Sequence, residues 1–103
     1  MEITWLGHSC FRLRSREAVV ITDPCAPTTG HSIGKLTADI VTISHDHPGH
    51  NYLQAITGTP VVITAPGEYE VAGVFVAGIA THHGGQKGSP RGKNTAYMIE
   101  MDN

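Results

Sequence analysis

Asp39-Ile40-Val41-Thr42-Ile43-Ser44-His45-Asp46-His47-Pro48-Gly49-His50 is the stretch that decides how this chain is read. Its first half is an apolar, β-branched run of the kind that forms a buried strand. Its second half puts three of the seven histidines of the chain into residues 45–50. Imidazole is the commonest metal ligand near neutral pH. On an extended segment side chains repeat every two residues, so His45 and His47 share one face and Asp46 takes the other. Pro48-Gly49 then turns the chain and lets His50 come back toward the pair. A catalytic zinc site needs about three protein ligands and an open position. Two or three from this turn and one from elsewhere meet that need, and Asp46 is read as structural.

Working outward, the N-terminal side supplies short strands. Ile3–Leu6 is closed by Gly7, and Phe11 and Leu13 alternate with Arg12 and Arg14. Ala18–Thr22 is a continuous apolar strand that ends at Asp23-Pro24, followed by a Pro/Thr/Gly-rich loop to about Leu36. On the C-terminal side, 51–56 is predicted to make one short helix ended near Gly58. Val61–Thr64 is a strand. Glu68–Val71 and Val74–Thr81 read as a hairpin through Ala72-Gly73, and 84–93 as a loop. Thr95–Met101 is a last strand, with Ala96 and Met98 on one face and Tyr97 and Ile99 on the other. The expectation is α+β, strand-rich with one short helix, an antiparallel meander and a parallel element at 39–44.

The chain has 103 residues, so it is one domain or less, residues 1–103. Its apolar fraction of 40% argues against disorder. With a net charge of −2 no basic stripe recruits nucleic acid. No run is apolar and long enough to span a membrane, and the N-terminus carries no signal-peptide pattern. A soluble, cytoplasmic protein is expected. Cys10 and Cys25 lack CxxC spacing and read as small buried hydrophobes, with a single disulfide left open.

Other residues join the histidine turn as candidates. His82-His83, at the end of the strand 74–81, offer a further ligand. Asp23 is a carboxylate positioned to hold the second ring nitrogen of a ligand histidine, or simply a turn aspartate. His8, in Gly7-His8-Ser9-Cys10, follows the first strand and can face the same site. Glu68 and Glu70 have same-face spacing but fit a solvated strand face.

These residues resemble those of a known family. His45-Asp46-His47-Pro48-Gly49-His50 is similar to the HxHxDH signature of the metallo-β-lactamase superfamily. Thr4-Trp5-Leu6-Gly7-His8-Ser9-Cys10-Phe11, Val20-Ile21-Thr22-Asp23-Pro24, Pro66-Gly67-Glu68-Tyr69-Glu70 and Arg91-Gly92-Lys93-Asn94-Thr95 resemble motifs of its ascorbate-6-phosphate-lactonase-like branch of metal-dependent hydrolases. The resemblance runs along the whole chain in order. It implies the N-terminal half of an αβ/βα sandwich, with the family's later Gly-Asp segment and final histidine falling beyond Asn103.

The resemblance also implies a ligand set. A first metal site takes His45, His47 and a later histidine, with His83 favoured by its spacing to Arg91-Gly92 and His82 as the alternative. His50 belongs to a second site. The family's aspartate in that second site is Gly49 here, which implies one metal rather than two. The metal implied is Zn, with Mn as the alternative. Asp23 orients a ligand, His8 lies near substrate, and Lys87, Arg91 and Lys93 attract an anionic small-molecule substrate. The implied activity is hydrolysis of an ester, lactone or phosphoester. The alternative is an inactive half-domain that pairs as a homodimer, its metal structural or absent. Either the missing C-terminal half or a second copy is expected to complete the core.

Overall fold

The computed structural model describes residues 1–30, 33–47, 49–82 and 93–101. Among the described residues ten strands run in chain order: β1 Glu2–Gly7, β2 Cys10–Arg14, β3 Val19–Thr22, β4 Leu36–Thr37, β5 Ile40–Thr42, β6 Ile56–Thr57, β7 Val61–Ile63, β8 Gly67–Val71, β9 Val74–His82 and β10 Lys93–Glu100. They form a five-stranded sheet of order β1-β2-β3-β5-β7, a three-stranded sheet β10-β9-β8 and a small pair β4-β6. The strand-rich expectation holds.

In the large sheet β1, β2 and β3 are antiparallel neighbours, while β3, β5 and β7 run parallel. The parallel part is thus three strands wide, broader than the single element expected at 39–44. Asp39 pins its register. The Val19 N–H donates to the Asp39 carboxylate at 2.8 Å, Asp39 N–H donates to Val19 O, and Val61 N–H donates to Asp39 O. Parallel alignment puts the C-terminal ends of β3, β5 and β7 along one end of the sheet. The end of β1 lies there too, because β1 is antiparallel to β2 and β2 to β3.

Period-two alternation divides the large sheet into two apolar faces. Val20, Ile40 and Ile63 point to the small sheet, where they pack with Val74, Val76, Ala18 and Met101; Tyr97 and Ile99 join from β10. Ile21, Val41 and Ile43 point the other way, with Cys10 and Cys25, and the 33–38 segment and Ile56 cover them. Both cysteines are buried free thiols, so the disulfide left open by the sequence is not formed. Burial and the neighbouring Cys25 push the Cys10 thiol up to about 12.

Two sequence expectations need correction. The short helix expected over 51–56 is only a 3-10 turn, Leu53–Ala55, followed by β6. The backbone leaves the helical path at Ile56, which is extended at φ −99° and ψ 123°. Ile56 and Thr57 instead pair in parallel with Leu36 and Thr37. The stretch read as continuous loop to Leu36 contains a second 3-10 turn, Pro27–Thr29, with proline in its first turn and Gly30 at φ 90° closing it.

The β8–β9 hairpin forms through Ala72-Gly73, both at positive φ (52° and 79°), the geometry of a two-residue type I′ turn. Tyr97 ties the small sheet to the large one. Its hydroxyl donates toward Ile43 O (2.8 Å) and Ile63 O (3.2 Å), the carbonyls just past β5 and at the end of β7. Thr95 N–H donates to Ser44 O at 2.8 Å, so the His82–Lys93 end of the β9–β10 pair reaches the same end of the large sheet.

Candidate functional site

The histidines and Asp23 meet at that sheet end. His8 follows β1, Asp23 follows β3, and Ser44 to His50 follow β5. Adjacent strand ends therefore deliver their first loop residues to one place. Two of these residues sit in the left-handed region, His8 at φ 50° and Asp23 at φ 42°. Such backbone is uncommon for residues other than glycine and persists where surrounding bonds over-determine it. The Trp5 indole N–H donates to His8 O at 2.9 Å and holds the first of them. Asp23 N–H donates to Thr42 O at 2.8 Å and holds the second.

Asp23 is the hub. Its Oδ1 accepts the Ser44 N–H at 2.7 Å, and its Oδ2 accepts the Ser44 hydroxyl at 2.7 Å. Oδ2 also lies 2.9 Å from His50 Nδ1, with both side chains largely buried. A carboxylate only accepts, so the neutral His50 ring carries its proton on Nδ1 and its lone pair on Nε2. Ser44 Oγ lies 2.9 Å from His45 Nδ1.

His47 differs. Its Nδ1 accepts the Gly49 N–H at 3.0 Å, so the neutral ring carries its proton on Nε2. The rings nevertheless cluster. His45 and His50 have centroids 4.1 Å apart, His47 and His50 5.7 Å, His45 and His47 5.9 Å, and His8 stands edge-on to His50 at 5.0 Å. Gly49 lies against two of them, His47 and His8. A Cβ on it would come within 3.1 Å of His47 Nδ1 and 3.1 Å of His8 Cε1. A larger residue there would have to displace one of the two rings.

The structure therefore brings together His8, Asp23, His45, His47 and His50. His83, Lys87 and Arg91 lie outside the described residues. The His82 backbone pairs with Lys93 at the hairpin end. Asp46 turns away and accepts from the Asn51 side-chain amide. Glu68 and Glu70 lie on the exposed face of β8. Ser44 was not singled out in the sequence. Its signal was register: Thr22 pairs with Thr42 in parallel, which brings the residues just beyond them side by side.

Among the described residues no three His, Cys, Asp or Glu side chains form a closed set around a metal position. The His47 lone pair is engaged by Gly49 N–H, which accounts for one missing member. The donor chemistry still fits a metal of the imidazole-binding kind: clustered imidazole rings and a carboxylate behind one of them, the usual support of a metal-bound histidine.

A family model described as a β-lactamase superfamily domain matches residues 2–103. The chain belongs to the metallo-β-lactamase superfamily. A solved Thermotoga maritima chain, proposed to be a Zn-dependent hydrolase of the metallo-β-lactamase superfamily, superposes with a TM-score of 0.74 at 38% identity, over 97% of this chain and 44% of that one. A UPF0173 metal-dependent hydrolase of Thermoplasma volcanium is 29% identical over 98% of this chain and 56% of its own length. One of Ruegeria pomeroyi is 32% identical over 73% of this chain and 35% of its own. This metallo-β-lactamase superfamily chain thus spans about half the length, or less, of the relatives it matches.

Proposed function

We propose that this chain carries the histidine-bearing part of a metal-dependent hydrolase site, with His45, His47 and His83 holding one metal and His50 at a second, weaker position. The observation that carries the reading is the clustering of the His8, His45, His47 and His50 rings at the end of the sheet, backed by the Asp23 carboxylate. When bound, zinc or manganese supplies Lewis-acid polarisation of a carbonyl or phosphoryl oxygen and a nucleophile at neutral pH. The residues do the rest. Asp23 holds the His50 ring with Nε2 outward. His47, whose Nδ1 accepts the Gly49 N–H here, would give up that bond to hold a metal through the same nitrogen. His8, held by Trp5 and crowded against Gly49, is placed to donate or accept at the substrate side.

The substrate class proposed is a small anionic ester, lactone or phosphoester, drawn in by the cations of the 87–93 segment. The fold proposed for the whole is an αβ/βα sandwich in which these residues form the N-terminal half. Two apolar faces support the need for further polypeptide. Ile3 and Trp5 are 62% and 59% exposed on the part of the large sheet that the small sheet leaves uncovered. Ile79 and Met98 are 61% and 53% exposed on the outer face of the small sheet. Polypeptide of the kind the longer relatives carry is proposed to cover them, within one cytoplasmic enzyme.

The test is metal content and hydrolysis measured together on the chain alone and on the chain joined to a relative's remaining half. The reading predicts divalent metal in both and turnover of phosphoester or lactone substrates in the joined form. A chain that stays metal-free in both forms contradicts it. A stable symmetric dimer of the chain alone would assign the apolar faces to a second copy.

A further inference from the structure

Asp23 touches one histidine directly and reaches a second through Ser44. The Ser44 hydroxyl has one proton, and Asp23 Oδ2, 2.7 Å away, can only accept it. The oxygen is then left with lone pairs alone toward His45 Nδ1 at 2.9 Å. The hydrogen must therefore come from the ring. From this geometry we infer that Ser44 is a positioning residue that relays the Asp23 charge to His45 and fixes that ring as the Nδ1–H tautomer, with its lone pair on Nε2.

The consequence is that one carboxylate sets two rings alike. His50 and His45 both carry Nδ1–H, His50 by direct contact and His45 through the hydroxyl. Their centroids lie 4.1 Å apart, so the two Nε2 lone pairs belong to neighbouring rings. The backbone makes the relay rigid. Ser44 N–H donates to Asp23 Oδ1 at 2.7 Å, so the serine grips both carboxylate oxygens, and Ser44 O accepts Thr95 N–H from β10. Threonine at 44 keeps the hydroxyl. Alanine removes the relay and leaves the backbone bond to Asp23 intact.

The value of the relay for chemistry rests on the proposal that His45 ligates a metal through Nε2, and the experiment separates the two. The full chain, labelled with nitrogen-15 and freed of metal with EDTA, is held at about pH 8.5, where histidines are neutral. Two-bond nitrogen–proton correlations then report the tautomer of each ring. Wild type and Ser44→Thr are expected to show His45 as Nδ1–H. Ser44→Ala is expected to let the Nε2–H form predominate at His45 and to leave His50 as Nδ1–H. A wild-type His45 in the Nε2–H form overturns the relay, as does a Ser44→Ala protein whose His45 tautomer is unchanged. Should Ser44→Ala fail to fold, the wild-type and Ser44→Thr spectra decide by themselves. Zinc affinity, measured by chelator competition on the same proteins, is expected to fall about tenfold or more in Ser44→Ala and to stay near the parent in Ser44→Thr. A tautomer change without an affinity change supports the relay and removes His45 from the ligand set.

Discussion

Asp23 Oδ2 stands 2.9 Å from His50 Nδ1, across 27 residues of sequence. The contact exists because β3 and β5 run parallel in register, so the loops that leave them meet. Asp23 also takes both Ser44 donors, which leaves its carboxylate with three hydrogen bonds from two residues.

Asp23→Asn is expected to weaken divalent metal binding by about 10–100-fold, the range for partners of ligand histidines. An amide keeps the size but has one accepting oxygen and must aim a donor at groups that already donate. Isothermal titration with zinc checks this. Unfolding should also become easier by about 1–3 kcal/mol, because donors are left without partners at a buried turn.

Gly49→Ala is expected to destabilise the protein by about 1 kcal/mol at most, because the two rings it crowds belong to exposed side chains that can shift. The new methyl would stand 3.1 Å from both the His47 and His8 rings. His8→Ala should relieve part of that cost, so the double variant should be more stable than the sum of the single ones predicts. Denaturant unfolding of the four proteins of this cycle measures the coupling, and strict additivity would contradict the crowding of His8 on Gly49.

Tyr97→Phe removes the hydroxyl that bonds the carbonyls of Ile43 and Ile63. A loss of about 1 kcal/mol is expected, read from the denaturation midpoint. The change lies beneath the histidine turn, and the β9–β10 hairpin should loosen with it, visible as faster amide exchange at Thr95, whose N–H bonds Ser44 O.

Stability should fall on the alkaline side. The Cys10 thiol is raised from 9.0 to about 12 and the Tyr97 phenol from 10.0 to about 12, both chiefly by burial. In each case the folded protein keeps a proton that the unfolded chain releases. Unfolding is therefore favoured as pH rises, from about pH 9 for Cys10 and about pH 10 for Tyr97, until both groups ionise near 12. A thermal midpoint that declines from pH 9 to 11 is expected. Cys10→Ala should lose the earlier part of the decline and Tyr97→Phe the later part. A midpoint flat over that window would contradict the burial of both groups.

Much of this was legible in the sequence because local patterns were strong. Alternation in 95–101 separated Tyr97 and Ile99 from Ala96 and Met98, and the structure packs the first pair against the core and leaves Met98 exposed; Ala72-Gly73 announced its hairpin. The histidine turn after a buried strand was legible for the same reason. What was not legible depended on partners distant in the chain. The two-residue strands at Leu36 and Ile56 exist only through each other. The 51–56 segment looked helical, but its last residue is taken into the parallel pairing with Leu36. Ser44 looked like the last residue of a strand, and its link to Asp23 needed the parallel register of Thr22 with Thr42.

The central claim is that the turn after β5 binds metal. Stoichiometric zinc or manganese binding by the parent and by His47→Ala, measured by titration and by metal analysis of the dialysed proteins, tests it most directly. The account predicts a bound divalent ion in the parent and none in His47→Ala, with the circular dichroism spectrum unchanged. A His47→Ala protein that binds metal as the parent does would contradict it.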